Sequence, residues 1–322
     1  MKSKKKIARH LITSSDKSTW KDGVPWLFLG TWCFEPEPYL ETKEKKYVVL
    51  DYHLASPSQI LSKGAYVDKF YEKILKKLST NLNKVHRVNW DLRSWRILIG
   101  PWLHRHIEIY YDRWTNIESA LNKYKLVSHS LPYPSKEDLI PLDYEHLREV
   151  FKSKNWNDLS YGLIIKEQAP ELVQLVSNES KSTRTADNEL FDYSSSNQIF
   201  TSKIIRTVRN LSKLSPVANF IKFLIRDNKV FLFDFYAATR VDKLLTSIYF
   251  NNLTVLSEHS EKKIQKPICW EMREKLQFTN AESNKFESFL LKQLPYMFPL
   301  IYLEGFDELL KSAENQIFPK KP

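Results

Sequence analysis

The stretch from Trp90 to Tyr124 limits the possible fold more than any other. At its centre it reads Trp95-Arg96-Ile97-Leu98-Ile99-Gly100-Pro101-Trp102-Leu103-His104-Arg105-His106-Ile107-Glu108-Ile109-Tyr110-Tyr111-Asp112-Arg113-Trp114, a helical pattern with far more aromatic mass than a surface helix carries. Rings in that number have to be covered, so this segment predicts the buried spine around which a domain is layered. Pro101 has no amide proton to give to a helix interior, which predicts a kink or a break into two helices. The charged residues cut the apolar run short of a membrane span. Inside a protein they must be paired or put to use.

That requirement selects the first candidate residues. On a helix His104 and Glu108 are four residues apart and share a face with Gly100 and Tyr111, so the carboxylate can orient the imidazole for proton transfer. These two are the catalytic candidates, against the alternative of a paired histidine in an aromatic core. His106 points elsewhere, and two histidines two residues apart cannot chelate one metal from a regular helix, so no metal is expected. Arg96, Arg105 and Arg113 have the forked geometry that grips phosphate or a sugar carboxylate, or else they bridge Glu108, Asp112 and neighbouring helices.

Around the spine, short apolar runs alternate with amphipathic ones. Trp26 to Cys33 and Tyr47 to His53 read as buried strands, and Tyr66 to His86 places Phe70, Ile74, Leu75, Leu78 and Leu82 at helical spacing. Leu126 to Pro132 suggests a further strand, and Leu142 to Gln168 a run of helices. From Ser177 to Asn197 small polar residues take over, as in an exposed loop. Beyond it Ile199 to Leu214 reads as a helix, Lys229 to Tyr236 as a strand, Thr239 to Tyr249 as a helix and Leu253 to Leu256 as a strand. That is a βαβ unit, which implies a parallel sheet. Ala281 to Leu294 and Leu303 to Gln316 read as the last helices.

The expected division is a basic N-terminal segment over 1–20, an α/β unit over 21–175, a polar loop over 176–198, the rest of the same domain over 199–316, and a linker over 317–322. Open α/β sheets bind ligands beyond the carboxyl ends of their strands. Asp51 and His53, at the end of one predicted strand, are therefore binding candidates, with a helix cap or turn as the alternative. Asp234 in the aromatic strand and Arg240 at the next helix start stand on the same footing.

Composition narrows the function classes. The formal charge of +11 raises the question of nucleic acid, yet the excess is mostly lysine dispersed along the chain, and sequence readers lean on arginine. No nucleic-acid partner is expected; a lysine-rich surface also suits contact with anionic lipid head groups at the inner membrane. The basic start, Met1 to Lys6, is not followed by the apolar core of a signal peptide, so the expected location is cytoplasmic. Cys33 and Cys269 are read as core thiols. With six glycines and no Walker loop or GxGxxG, a glycine-rich phosphate cradle is not expected.

Three strings carry a resemblance. Leu27-Phe28-Leu29-Gly30-Thr31-Trp32-Cys33, then Trp95 to Leu103 with Tyr111-Asp112-Arg113, and finally Tyr302-Leu303-Glu304-Gly305-Phe306 before Pro319-Lys320-Lys321-Pro322, are similar to the transferases of leptospiral-type O-antigen and surface-polysaccharide loci. The resemblance implies a Rossmann-like α/β fold with substantial helical content, as the N-terminal half of a two-domain, GT-B-like glycosyltransferase of lipopolysaccharide or capsule assembly. It also implies a polysaccharide or lipid-linked acceptor and a sugar nucleotide donor for the complete enzyme. Such transferases continue into a second domain with a Gln-His-Gly-Gly motif that this sequence does not contain. The expectation is an acceptor-side half that binds no cofactor by itself and is incomplete alone, as the product of a truncated or split gene, as a subunit completed by a separate second-half protein, or as a free-standing binding module. The alternative is a non-catalytic partner or binding module, which an exposed apolar face on the C-terminal helices would favour.

Overall fold

The computed structural model describes residues 7–33, 47–51, 56–132, 136–176, 230–232, 253–255, 266–276, 278 and 284–317. The chain divides into two compact units, one of residues 1–186 with 265–322 and one of residues 187–264.

In the first unit the strands are β1 (Ala8–Ile12), β2 (Trp26–Phe28), β3 (Tyr47–Val49), β4 (Lys125–Pro132) and β5 (Val173–Val176). All pair in parallel, in the order β3-β2-β1-β4-β5. The helices are α1 (Pro57–His86), α2 (Leu92–Lys123), α3 (Tyr144–Val150), α4 (Lys154–Gln168), α5 (Trp270–Glu274), α6 (Lys285–Met297) and α7 (Phe306–Ile317). This is a mixed α/β fold built on a parallel sheet. In the second unit β6 (Val230–Leu232) and β7 (Leu253–Val255) pair in parallel, as the βαβ pattern requires. The helices expected over Ile199–Leu214 and Thr239–Tyr249 lie outside the described residues, as do His53, Asp234 and Arg240.

The centre of the sheet is β1, inside the stretch whose composition reads as a basic N-terminal segment. Arg9 and His10 hide it from a hydrophobicity reading, and both are buried with partners. Arg9 donates to the Trp26 carbonyl at 3.1 Å. His10 lies between the Ser128 hydroxyl at 2.8 Å and the Thr19 carbonyl at 3.0 Å. Because a carbonyl only accepts, Nε2 carries the proton and Nδ1 accepts from Ser128.

The two long helices form as their sequences dictate. Ser56 caps α1 by accepting from the Gln59 amide, Pro57 occupies its first turn, and Arg87 ends it in a left-handed conformation at φ 55°. Asp91 caps α2 by accepting from the Ser94 amide. Phe70, Ile74, Leu75, Leu78 and Leu82 are all buried, as their spacing predicts.

Helix α2 runs unbroken through Pro101. The proline deprives the Ile97 carbonyl of its partner, and Ile97 is 70% exposed, so water can take that bond. On the inner side Trp95, Ile99, Trp102, Leu103, Ile107 and Tyr110 are fully buried. The spine expected from the sequence is therefore present as one helix. Of the two cysteines, Cys33 is in the core but Cys269, just before α5, is exposed.

Candidate functional site

The strand order reverses between β1 and β4, and in open parallel sheets the carboxyl ends at such a reversal are where ligands bind. Beyond β1 come Thr13, Ser14, Ser15 and Asp16. Thr13 donates to Asp158 Oδ1 at 2.6 Å and Ser14 donates to Oδ2 at 2.5 Å. Asp158 lies near the start of α4 and is completely buried. Burial pushes its carboxyl up to about 6, against the two hydroxyls, which favour the charged form. A carboxylate that titrates near neutrality at a sheet's carboxyl edge has the properties of an acid/base group, although here Thr13 and Ser14 close it off from solvent. Thr13, Ser14 and Asp158 were not among the site candidates read from the sequence. The usable signals were a hydroxyl-rich loop directly after Ile12, and an aspartate on the apolar face of a helix, in register with Tyr161 and Ile165.

The neighbouring strand ends fold over this loop. Leu29 donates its amide to the Ile12 carbonyl at 3.0 Å, and the indole of Trp32 donates to the Thr13 carbonyl at 3.3 Å. The Trp32 ring lies against Gly30 so closely that a Cβ there would sit 2.1 Å from it. Cys33 is buried beneath, its thiol pushed up to about 12 by desolvation and therefore no nucleophile. Asp51 follows β3 on the same edge and is exposed. On β4, His129 donates from Nδ1 to the Leu11 carbonyl at 3.2 Å, and burial lowers it to about 4.

A second feature lies between α2 and α3. Pro101, His104, Arg105, Glu108, Tyr144, Arg148, Phe151 and Lys152 line an open groove of ≈ 560 Å³. His104 sits between two carboxylates, with Nε2 2.9 Å from Asp68 Oδ1 and Nδ1 3.7 Å from Glu108 Oε1. Arg105 reaches Glu108 Oε2 at 3.2 Å and lies over the Phe151 ring. The helical spacing thus brings His104, Arg105 and Glu108 to one groove, where Arg148 and Lys152 add cations that the sequence reading did not single out.

The other two arginines sit elsewhere. Arg96 forks onto both oxygens of Glu72 across the α1–α2 seam. Arg113 is buried, donating to the carbonyls of Ile109 and Phe151 and to Asn157, with its guanidinium over the rings of Trp156 and Tyr161. No carboxylate pairs with it in those contacts, and desolvation lowers it. Its place is the joint between α2 and the α3–α4 connection. No group of histidine, cysteine and carboxylate side chains that could hold a metal occurs among the described residues.

The model of the LIC12162 family transferases matches residues 9–322. The chain belongs to this family. No curated protein and no solved structure matches it. Among the described residues no helix is long and apolar enough to cross a membrane.

Proposed function

We propose that this LIC12162 family transferase moves a glycosyl group in the assembly of lipopolysaccharide O-antigen or capsule. In this reading it forms the acceptor-side half of a Rossmann-like, GT-B-like cleft whose other half holds the sugar nucleotide. The observation that carries the reading is the polar loop after β1, braced by Thr13 and Ser14 on the buried Asp158, at the reversal between β1 and β4 of a parallel sheet. On that edge the partly open Asp16 and the exposed Asp51 offer carboxylates that suit a sugar's hydroxyls, and with six glycines the sequence lacks a glycine-rich loop for a diphosphate.

In the transfer step the acceptor hydroxyl oxygen bonds to the anomeric carbon while that carbon's bond to the nucleoside diphosphate breaks. The hydroxyl proton goes to a base, the role proposed for His104, steadied by Asp68 and Glu108. Arg105, with Arg148 and Lys152, offers the anionic part of an acceptor a cationic wall. Arg96 and Arg113 serve packing instead. A lipid-linked acceptor would bring the lysine-rich surface to the inner membrane. As for the binding-module alternative, the C-terminal helices carry no large exposed apolar side chain among their described residues, so the feature that would favour it is absent there.

The test is to purify the chain through a tag after co-expression with neighbouring reading frames, and to assay it with radiolabelled sugar nucleotides and lipid-linked acceptors. The expected result is label transfer that falls at least tenfold in H104A and E108Q with binding of the acceptor retained. No co-purifying protein and no transfer from any sugar nucleotide would refute the proposal.

A further inference from the structure

All nine tryptophans lie within the described residues, and Trp32 alone is exposed, at 45%. An indole left open to water costs the fold apolar area it could have buried, so its placement calls for a cause. The placement is also constrained. One face of the ring covers Gly30, where any Cβ would collide at 2.1 Å, and its nitrogen is tied to the Thr13 carbonyl at 3.3 Å. A loosely attached surface tryptophan needs neither the glycine nor the bond.

Its surroundings are the carboxyl ends of three adjacent strands. β1 leads into Thr13 and its carbonyl, β2 leads into Gly30 and Trp32, and β3, in register with β2 through Phe28 opposite Val49, leads to the exposed Asp51. Asp16, after β1, is partly open. A flat aromatic face with carboxylates on the flanking loops matches the surface of a pyranose, which has an apolar face of C–H groups and a rim of hydroxyls.

We propose that Trp32 is the stacking platform for a pyranose ring at the carboxyl edge of the sheet, held flat by Gly30 and Thr13, with Asp51 available to the ring's hydroxyls. This rests on the glycosyl-transfer reading and names the part of the site that meets the sugar.

The experiment uses the full chain labelled with 5-fluorotryptophan, whose fluorine resonance for Trp32 is assigned by its loss in W32F. The probes are methyl glycosides of glucose, galactose, N-acetylglucosamine and rhamnose, together with UDP-N-acetylglucosamine, UDP-glucose, dTDP-rhamnose and GDP-mannose. The expected result is a saturable shift of the Trp32 resonance with one class of sugar. The dissociation constant, read for wild type and variants alike by isothermal titration calorimetry, should rise about tenfold in W32A, the loss of one aromatic contact, and less in W32F, which keeps a ring. G30A, which keeps the indole but displaces it, should weaken binding like W32A, with the other eight fluorine resonances unmoved as a check on the fold. Equal binding by wild type, W32A and G30A overturns the platform and leaves glycosyl transfer standing. No binding of any probe by the wild-type chain also overturns the platform, while glycosyl transfer itself stands or falls by the radiolabel assay.

Discussion

Replacing Glu304 with alanine should destabilise the first unit more than most single changes in this chain. Arg273 and Glu304 are 0% and 3% exposed, and they meet fork to fork, Nε to Oε1 at 2.7 Å and Nη2 to Oε2 at 2.8 Å. The remaining guanidinium nitrogen donates to the carbonyls of Pro295 and Phe298, both at 2.9 Å. The Cys269 amide also donates to Glu304 at 3.1 Å. One ion pair therefore fastens the start of α5 to the end of α6 and to the turn before α7. Removing the carboxylate breaks a buried ion pair from one side, which typically costs about 3–5 kcal/mol, against a whole-domain stability of about 5–15 kcal/mol. All nine tryptophans lie in this unit, so their fluorescence during urea unfolding reports on it selectively. The midpoint of E304A should fall by roughly 1–2 M urea at unchanged slope. Since desolvation offsets most of the attraction in such a pair, R273M/E304L should recover most of the loss. A cost below about 1 kcal/mol in E304A, or a double variant no better than E304A, would refute this account of the pair.

Further outcomes follow from particular contacts. Burial lowers His106 to about 3 and His129 to about 4, so both stay neutral in the fold. Their contribution is complete above the unfolded value near 6.5 and is lost as pH falls toward those values, on the order of a few kcal/mol together. Asp158 has the opposite sign: its raised value favours the fold below about 4 and that gain is lost as pH rises through about 6. Net destabilisation is expected between pH 6.5 and 4, and D158N should steepen the acid limb; an unfolding series in buffers across that range checks both. Among the described residues both ring nitrogens of His106 lack partners, between the rings of Trp102 and Tyr110. H106F should therefore be neutral or stabilising at pH 7 and flatten the acid limb, as read by thermal melts. A Cβ added at Gly64 in α1 would meet nothing within 4 Å, so G64A should stabilise by about 0.5–1 kcal/mol. Gly162 in α4 would push a Cβ to 2.2 Å from Leu131, so G162A should cost about 1–3 kcal/mol in the same urea assay.

Where apolar spacing was clean, the sequence foretold the element. The stripe from Phe70 to Leu82, the strand ending at Pro132 and the parallel pairing of Val230 with Leu253 are cases in point. Legibility failed where polar residues are buried with partners that lie far along the chain. His10 is satisfied by Ser128, 118 residues away, so no local pattern could announce a central strand. Asp158 is satisfied by Thr13 and Ser14, more than 140 residues away, and looked like one more polar residue in a helix. Arg113 shows the converse. Its residue type suggested anion binding, but three carbonyl-type acceptors and two ring faces hold it in the core. The pairing of His104 with Glu108 was legible because four residues is one helical turn, whereas Asp68, which completes the arrangement, comes from α1.

The three strings that carry the resemblance divide by what they do. In Trp95 to Leu103, Arg96 ties α2 to Glu72 of α1, Gly100 lets Tyr71 approach within 2.7 Å of where a Cβ would stand, and both tryptophans are buried. In Tyr302 to Phe306, Glu304 holds Arg273, and Phe306 stacks on His86 with ring centroids 4.0 Å apart and on Trp95 at 5.6 Å. These two strings are halves of one packing joint, where the last helices dock on the spine, and changes there act on stability. Leu27 to Cys33 is different. Leu27, Phe28 and Leu29 are buried strand, but the string ends in a glycine that exists to accommodate a tryptophan, and that tryptophan faces water at the carboxyl edge of the sheet. Packing explains the first part and leaves the second without a purpose inside the fold. A substitution in the joint should therefore lower stability and activity together, whereas one at Trp32 should lower sugar affinity while the unfolding free energy stays within about 0.5 kcal/mol of wild type.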